Sequence, residues 1–187
     1  MTMSWRSMKF PAVLAGLLVA VAASASWAQQ IQLPAGVEQI PRISSKAVME
    51  RPAKLDRGVG RMHQKVSTNS AEAQAFYDQG LAYLHSYVWV DAARSFHEAL
   101  RRDPELAMAE LGLAKSYFNA EAMADAFEHM KKAAVLAARG KITPKEAKWI
   151  EIGQKQWEAI FAAPPESRRK LEEYRAAIDA LIAMDPN

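Results

Sequence analysis

The strongest constraint on the fold is a regular spacing of small and aromatic residues between positions 76 and 104. Within each half of this stretch the marked residues stand three or four positions apart: Phe76, Gly80 and Tyr83, then Ala92, Phe96 and Ala99. Such intervals place each set on one face of an α-helix. Small residues let two helices cross closely, and aromatic rings fill the flanks of the crossing. The stretch therefore predicts two antiparallel helices.

This skeleton resembles the tetratricopeptide repeat, a helix-turn-helix unit with the pattern W-x2-L-G-x2-Y…A-x3-F…P over about 34 residues. Phe76 takes the position of the Trp, and Gln79 departs from the Leu. Moving along the chain by about 34 residues keeps small positions small and large positions aromatic or Met. The alternative is an ordinary helical hairpin with alanine-rich faces. The packing positions implied by the resemblance are Phe76, Gly80, Tyr83, Ala92, Phe96, Ala99, Ala114, Tyr117, Ala126, Met130 and Ala133.

A third unit begins with Trp149, Ile152 and Gly153, which repeat the opening of the pattern. Its next small position is occupied by Tyr174 and comes nine residues later than in the first unit, so we expect a lengthened first helix and turn. The resemblance implies an all-α fold, a solenoid of about three antiparallel helix pairs whose third pair is divergent. The units span 69–103, 104–140 and 141–187.

The first 28 residues have the pattern of a secretory signal peptide. Arg6 and Lys9 precede an apolar run, and Ser26-Trp27-Ala28 offers small residues for cleavage. We expect export to the periplasm or the extracellular space; the alternative is an uncleaved N-terminal membrane anchor. Without residues 1–28 the chain has 22 basic residues (24 − 2) against 21 acidic ones, a net charge of +1. This balance gives no general attraction for nucleic acid.

Residues 29–68 are expected to form a linker, because Pro and Gly interrupt them and no apolar period lasts two turns. The linker is either flexible or docked along the helical body. The chain has no cysteine, so a folded exported form depends on core packing alone.

Residues 60–187 are also similar to the N-terminal part of longer bacterial exported tetratricopeptide proteins. We therefore expect a scaffold that binds another polypeptide and has no catalysis, cofactor or metal of its own. The alternative is the N-terminal fragment of a larger enzyme or substrate-binding protein. The last residues, Asp185-Pro186-Asn187, repeat the Asp103-Pro104 joint that leads into a new helix after the first unit. This predicts an open end, so that the chain either self-associates or is loose in its last helix pair.

The resemblance implies a concave groove, lined by the first helix of each pair, in which a peptide binds. In the chaperone-binding members of the family, Lys and Asn on this face bind the C-terminal carboxylate of a peptide. Tyr77 and Leu81 stand at the first of these positions here, so the resemblance does not support that mode of binding. The alternative is that the chain's own linker or further repeats bury these residues. The groove candidates are Tyr77, Leu81, Leu84, His85, Leu111, Lys115 and Phe118.

The polar residues form no recognised catalytic or metal-binding spacing. We expect the pairs Asp125–His129 and His97–Glu98 to be solvent-exposed helix surface. Gly80→Leu is expected to overpack the first crossing, whereas Gly80→Ala is expected to stabilise the helix because Ala favours helices.

Overall fold

The computed structural model describes residues 45–184, and these belong to one compact unit. The predicted signal peptide and the first part of the linker lie outside the described residues. Seven helices occupy the described range, which contains no strand: α1 Ser45–Met49, α2 Ala71–His85, α3 Trp89–Arg102, α4 Ala107–Asn119, α5 Met123–Ala138, α6 Pro144–Phe161 and α7 Glu166–Ala183.

The helices pack in adjacent pairs. The three main pairs are α2 with α3, α4 with α5, and α6 with α7, and each pair also contacts the next one along the chain. The first helices of successive pairs touch as well, α2 with α4 and α4 with α6. The expectation of an all-α protein built from helix pairs is confirmed.

The first two pairs share the backbone of their internal turns at a separation of 34 residues. Tyr87 and Glu121 (121 − 87 = 34) both adopt left-handed backbone, with φ of 63° and 61°. The next amide donates to the same relative carbonyl in each turn: Val88 N to Tyr83 O at 3.0 Å, and Ala122 N to Tyr117 O at 2.9 Å. Left-handed φ is uncommon for residues other than Gly, so its recurrence marks one turn design used twice.

Phe96 is the centre of the packing between the first two pairs. Its ring is fully buried and lies between Gly80 of α2 and Gly112 of α4. A Cβ at Gly80 would come within 2.6 Å of Cε1 of the ring, and one at Gly112 within 2.5 Å of Cζ. The expectation that Gly80→Ala stabilises the helix is therefore wrong, because even one methyl group overlaps Phe96.

The predicted packing positions lie in the core, with one partial exception. Tyr83 is only partly buried, and its hydroxyl donates to Asp56 at 3.2 Å. The third pair reuses the same contact type, since a Cβ at Gly153 would approach Leu111 at 2.9 Å and Met130 at 3.0 Å.

The first helices of the three pairs begin with different caps. Ser70, not Asn69, caps α2 by accepting from Ala73 N. Asp103 does not cap the next helix, because α4 begins only at Ala107. The capping box of Thr143 and Glu146 is present at the start of α6, with Pro144 in the first turn.

The third pair is longer and more loosely buried. Helices α6 and α7 each have 18 residues, against 15 for α2 and 13 for α4. Ile152, Ala177 and Leu181 form a small cluster separate from the main core. Leu171 of α7 is 50% exposed.

Candidate functional site

Residues 45–68, which we call the arm, lie against the first helix pair. Gln74 of α2 holds the arm through both ends of its side-chain amide: Nε2 donates to Gln64 O at 2.9 Å, and Oε1 accepts from Val66 N at 3.0 Å. Val66 is 4% exposed and belongs to the core. The Gln74 amide thus bonds to the carbonyl of residue 64 and to the N–H of residue 66. Both are main-chain groups, so these two bonds do not depend on the arm's side chains.

Gln79 makes the same kind of contact five residues further along α2. Its Nε2 donates to Lys54 O at 3.0 Å, and its Oε1 accepts from Asp56 N at 2.6 Å. The same Nε2 also donates to the Ser95 hydroxyl at 3.0 Å. The departure from the family's Leu therefore has a physical reason, because a buried amide here binds the arm's backbone. We call Gln74 and Gln79 the glutamine clamps.

Glu98 fixes the arm to α3. It is 6% exposed and accepts from Ala53 N at 3.2 Å and from Arg102 Nη1 at 2.5 Å. Burial works to raise the pKa of Glu98, but the hydrogen bonds from Arg102 and Ala53 outweigh burial and hold that pKa below its ordinary value. Arg101 also pairs with it. The expectation that His97–Glu98 is plain exposed surface is wrong.

The C-terminal end of the arm reaches the third helix pair. Ser67 N donates to Glu146 at 2.7 Å, and the Ser67 hydroxyl bonds to the same carboxylate. Thr68 Oγ1 donates to Asp103 at 2.5 Å. Burial tends to raise the pKa of Glu146, yet the hydrogen bonds from Ser67 and Thr143 keep it below its ordinary value. One buried carboxylate thus serves both the capping box and the arm.

The groove candidates divide into covered and reachable residues. Tyr77 is 1% exposed and its hydroxyl donates to Gln64 of the arm at 3.1 Å; burial raises the pKa of that hydroxyl. Leu111 is closed off against Gly153 of α6, and Leu81 is also buried. The partly or fully exposed candidates are Leu84, His85, Lys115 and Phe118. The structure therefore does not leave the predicted set as one open apolar groove.

The seam between α4 and α6 is aromatic. Lys115 of α4 lies over the Trp149 ring, with Nζ 5.7 Å from the centroid. Phe118 stacks on Trp157 with centroids 5.3 Å apart, and Trp157 also meets Phe127 of α5 edge-on. Phe127 is 46% exposed, so part of this aromatic group faces solvent.

A cleft lies where the arm approaches the start of α6. Its volume is about 1310 Å³. Arm residues 63–68 line one side and Glu146 and Trp149 line another. The cleft also has charged side chains of both signs, including Arg102 and Lys141, so its lining does not favour one sign of ligand charge.

A buried polar network joins α3, α4 and α5. His129 Nδ1 lies 2.6 Å from Glu110, and its ring stacks on Tyr117, whose hydroxyl is 3.1 Å from His97 Nε2. Asp125 does not join it and instead pairs with Lys46 at 2.7 Å. The expected exposed pair Asp125–His129 is thus wrong, since His129 is 7% exposed. Nothing in the sequence pattern marks this network.

Among residues 45–184, no group of three or more His, Asp or Glu side chains is arranged to hold a metal ion. Within the same range, none of the helices has the length and apolar character needed to span a bilayer. Comparison of the chain with protein-family models, curated proteins and solved structures gave no match.

Proposed function

We propose that this protein is an exported, tetratricopeptide-like helical scaffold that binds an extended segment of another polypeptide. Three features support the repeat arrangement: the 34-residue recurrence of the internal turns, the sequential packing of pairs, and the contacts between successive first helices. Export is proposed from the sequence of residues 1–28 alone.

The observation that carries the binding proposal is the way in which the arm is held. Gln74 pairs with the backbone of residues 64 and 66, and Gln64 in turn bonds to Tyr77 and Asp78 of α2. Three of these four bonds use main-chain atoms of the arm, and the fourth uses the side chain of Gln64. Helix α2 therefore already binds a segment of its own chain, and the partly exposed residues Leu84 of α2 and Lys115 and Phe118 of α4, two helices that touch, are proposed to bind a second one.

The mature chain, residues 29–187, can be tested with a library of ten-residue peptides, with binding followed by tryptophan fluorescence. Bound peptides are expected to slow hydrogen exchange at the ends of α2 and α4, around residues 81–85 and 115–119. Leu84→Glu should abolish binding because it places a charge on this surface. Leu171→Glu, at a 50% exposed position of α7, is the matched control and should bind normally.

Two results would overturn the proposal. The first is that no peptide of the library binds the mature chain. The other is protection that falls on α7 or on the outer helices α3 and α5, with Leu84→Glu binding as well as the parent.

A further inference from the structure

Lys115 has no carboxylate partner among the residues that the structure describes. Its side chain is partly exposed, and its only recorded interaction is the cation–π contact with Trp149. Burial of part of the side chain lowers the pKa of the Lys115 ammonium, because a charge is less favourable away from water. By contrast, Lys148, Lys155 and Lys170 on the neighbouring helices each pair with a glutamate.

A second donor next to Lys115 is also unsatisfied. Trp149 Nε1 is buried without a hydrogen-bond acceptor, the single such side-chain atom in residues 45–184. Buried polar groups are nearly always paired, and an unpaired one costs about 1–3 kcal/mol. Two donors lacking acceptors therefore meet at one point of the seam between α4 and α6.

The surroundings of this point are apolar. Leu111 and Phe118 flank Lys115 along α4, and Trp157 covers Phe118 from α6. A charge placed among such residues is stabilised most by an ionised partner that also accepts hydrogen bonds. A single lysine within apolar walls suits a carboxylate better than a phosphate, which proteins usually surround with several donors.

The chain's own arm does not supply this carboxylate. Its two acidic residues are Glu50, which lies near Lys46, and Asp56, which bonds to Tyr83 and Gly58. Trp149 lines the cleft beside the arm, so the seam is continuous with an open surface. The missing partner can therefore come from a bound molecule.

We propose that Lys115 and Trp149 form a binding position for an aspartate or glutamate side chain, flanked by apolar residues, in the polypeptide that the scaffold binds. This inference rests on the proposed function and specifies which peptides are bound. The Lys115 ammonium donates to the carboxylate while the apolar neighbours of the acidic residue pack on Phe118 and Leu84.

The test compares matched peptides that contain a central Glu or Gln between apolar residues. Binding to the mature chain is measured by tryptophan fluorescence and calorimetry. We expect the Glu peptides to bind at least about tenfold more tightly than the Gln peptides, the scale of one charge-assisted hydrogen bond. Lys115→Met, which keeps the length and apolar stem, should remove this preference, and Lys115→Arg should retain part of it.

Lys148→Met is the control, because that lysine already pairs with Glu151 and its loss should leave the Glu preference intact. Lys115→Met should fold at least as well as the parent, since it removes a poorly solvated charge. Equal binding of Glu and Gln peptides, or a preference that survives in Lys115→Met, would overturn the inference while leaving peptide binding in place. Absence of binding by every peptide would overturn the proposed function and this inference with it.

Discussion

At the scale of single residues, the fold depends on one aromatic ring held between two glycines. Phe96 fills the space left by the missing side chains of Gly80 and Gly112. Protein interiors are packed densely enough that an added methylene is felt. The position where two helix pairs meet is thus set by three residues that are far apart in sequence.

Gly80→Ala and Gly112→Ala are each expected to destabilise the protein by about 1–3 kcal/mol in chemical denaturation, because the new Cβ overlaps the Phe96 ring. The penalty of Gly80→Ala should shrink in a Phe96→Leu background, where the smaller side chain makes room. A double-mutant cycle measures that coupling. Additive effects, or a stabilised Gly80→Ala variant, would contradict the packing described here.

The sequence revealed the small positions but not what they face. Helix propensity alone favours Ala over Gly at position 80 by about 1 kcal/mol, and steric overlap with Phe96 overrides that preference. Gly112 was missed although a glycine inside a helical pattern is itself a signal of close approach. The close contacts of Gly80 and Gly112 cannot be deduced from residue spacing, because they depend on which side chain of the neighbouring helix faces each glycine.

At the scale of elements, the arm is held in two ways: its helix α1 packs against α3, and its irregular part is bound by the glutamine clamps. Each clamp pairs one side-chain amide with a carbonyl and an N–H two residues apart. The helices could be predicted because the spacing of apolar side chains along the sequence indicates which residues share a helix face. The docking of the arm could not, because the groups recognised are backbone atoms that every residue carries.

Gln79→Leu keeps the approximate size of the side chain but removes both bonds to the arm. We expect a loss of about 1–3 kcal/mol and fast hydrogen exchange at the Asp56 amide, with the Val66 amide still protected. Gln74→Leu is the matched control and should show the reverse pattern. Simultaneous loss of protection at both amides in either variant would mean that the arm is released as a single unit instead.

At the scale of the whole molecule, the buried network of α3, α4 and α5 makes stability depend on pH. Burial, reinforced by the neighbouring charges of His129, Arg101, Lys132 and Lys46, lowers the pKa of His97 to about 4 from an ordinary value of 6.5. The unfolded chain therefore takes up a proton at a higher pH than the folded chain does. Stability is complete above pH 6.5 and falls as the pH drops from 6.5 toward 4.

The full loss from this histidine is at most about 3 kcal/mol, at roughly 1.4 kcal/mol per pH unit. Denaturation with urea at pH 7, 6 and 5 should show the decline, and His97→Gln should reduce it because the amide can still bond to Tyr117 without titrating. The window above pH 5 separates this effect from Glu98 and Glu146, whose lowered pKa values place their titration below 4.5. Identical slopes in parent and variant would rule out His97 as the source.

The arm's contacts also set the order in which parts of the protein can fold during synthesis. The bond between Lys46 and Asp125 and the bond between Ser67 and Glu146 each join residues that are 79 positions apart. Neither bond can form until the later residue has been synthesised. At about 5–20 residues per second, a ribosome needs roughly 4–16 seconds to supply each partner. Until then Met49 and Val66, both buried in the finished protein, have no complete core to enter. The arm can therefore contact α2 and α3 early, through Gln74, Gln79 and Glu98, but its bonds to Asp125 and Glu146 form last, which leaves its two ends open for several seconds to any factor that handles nascent chains.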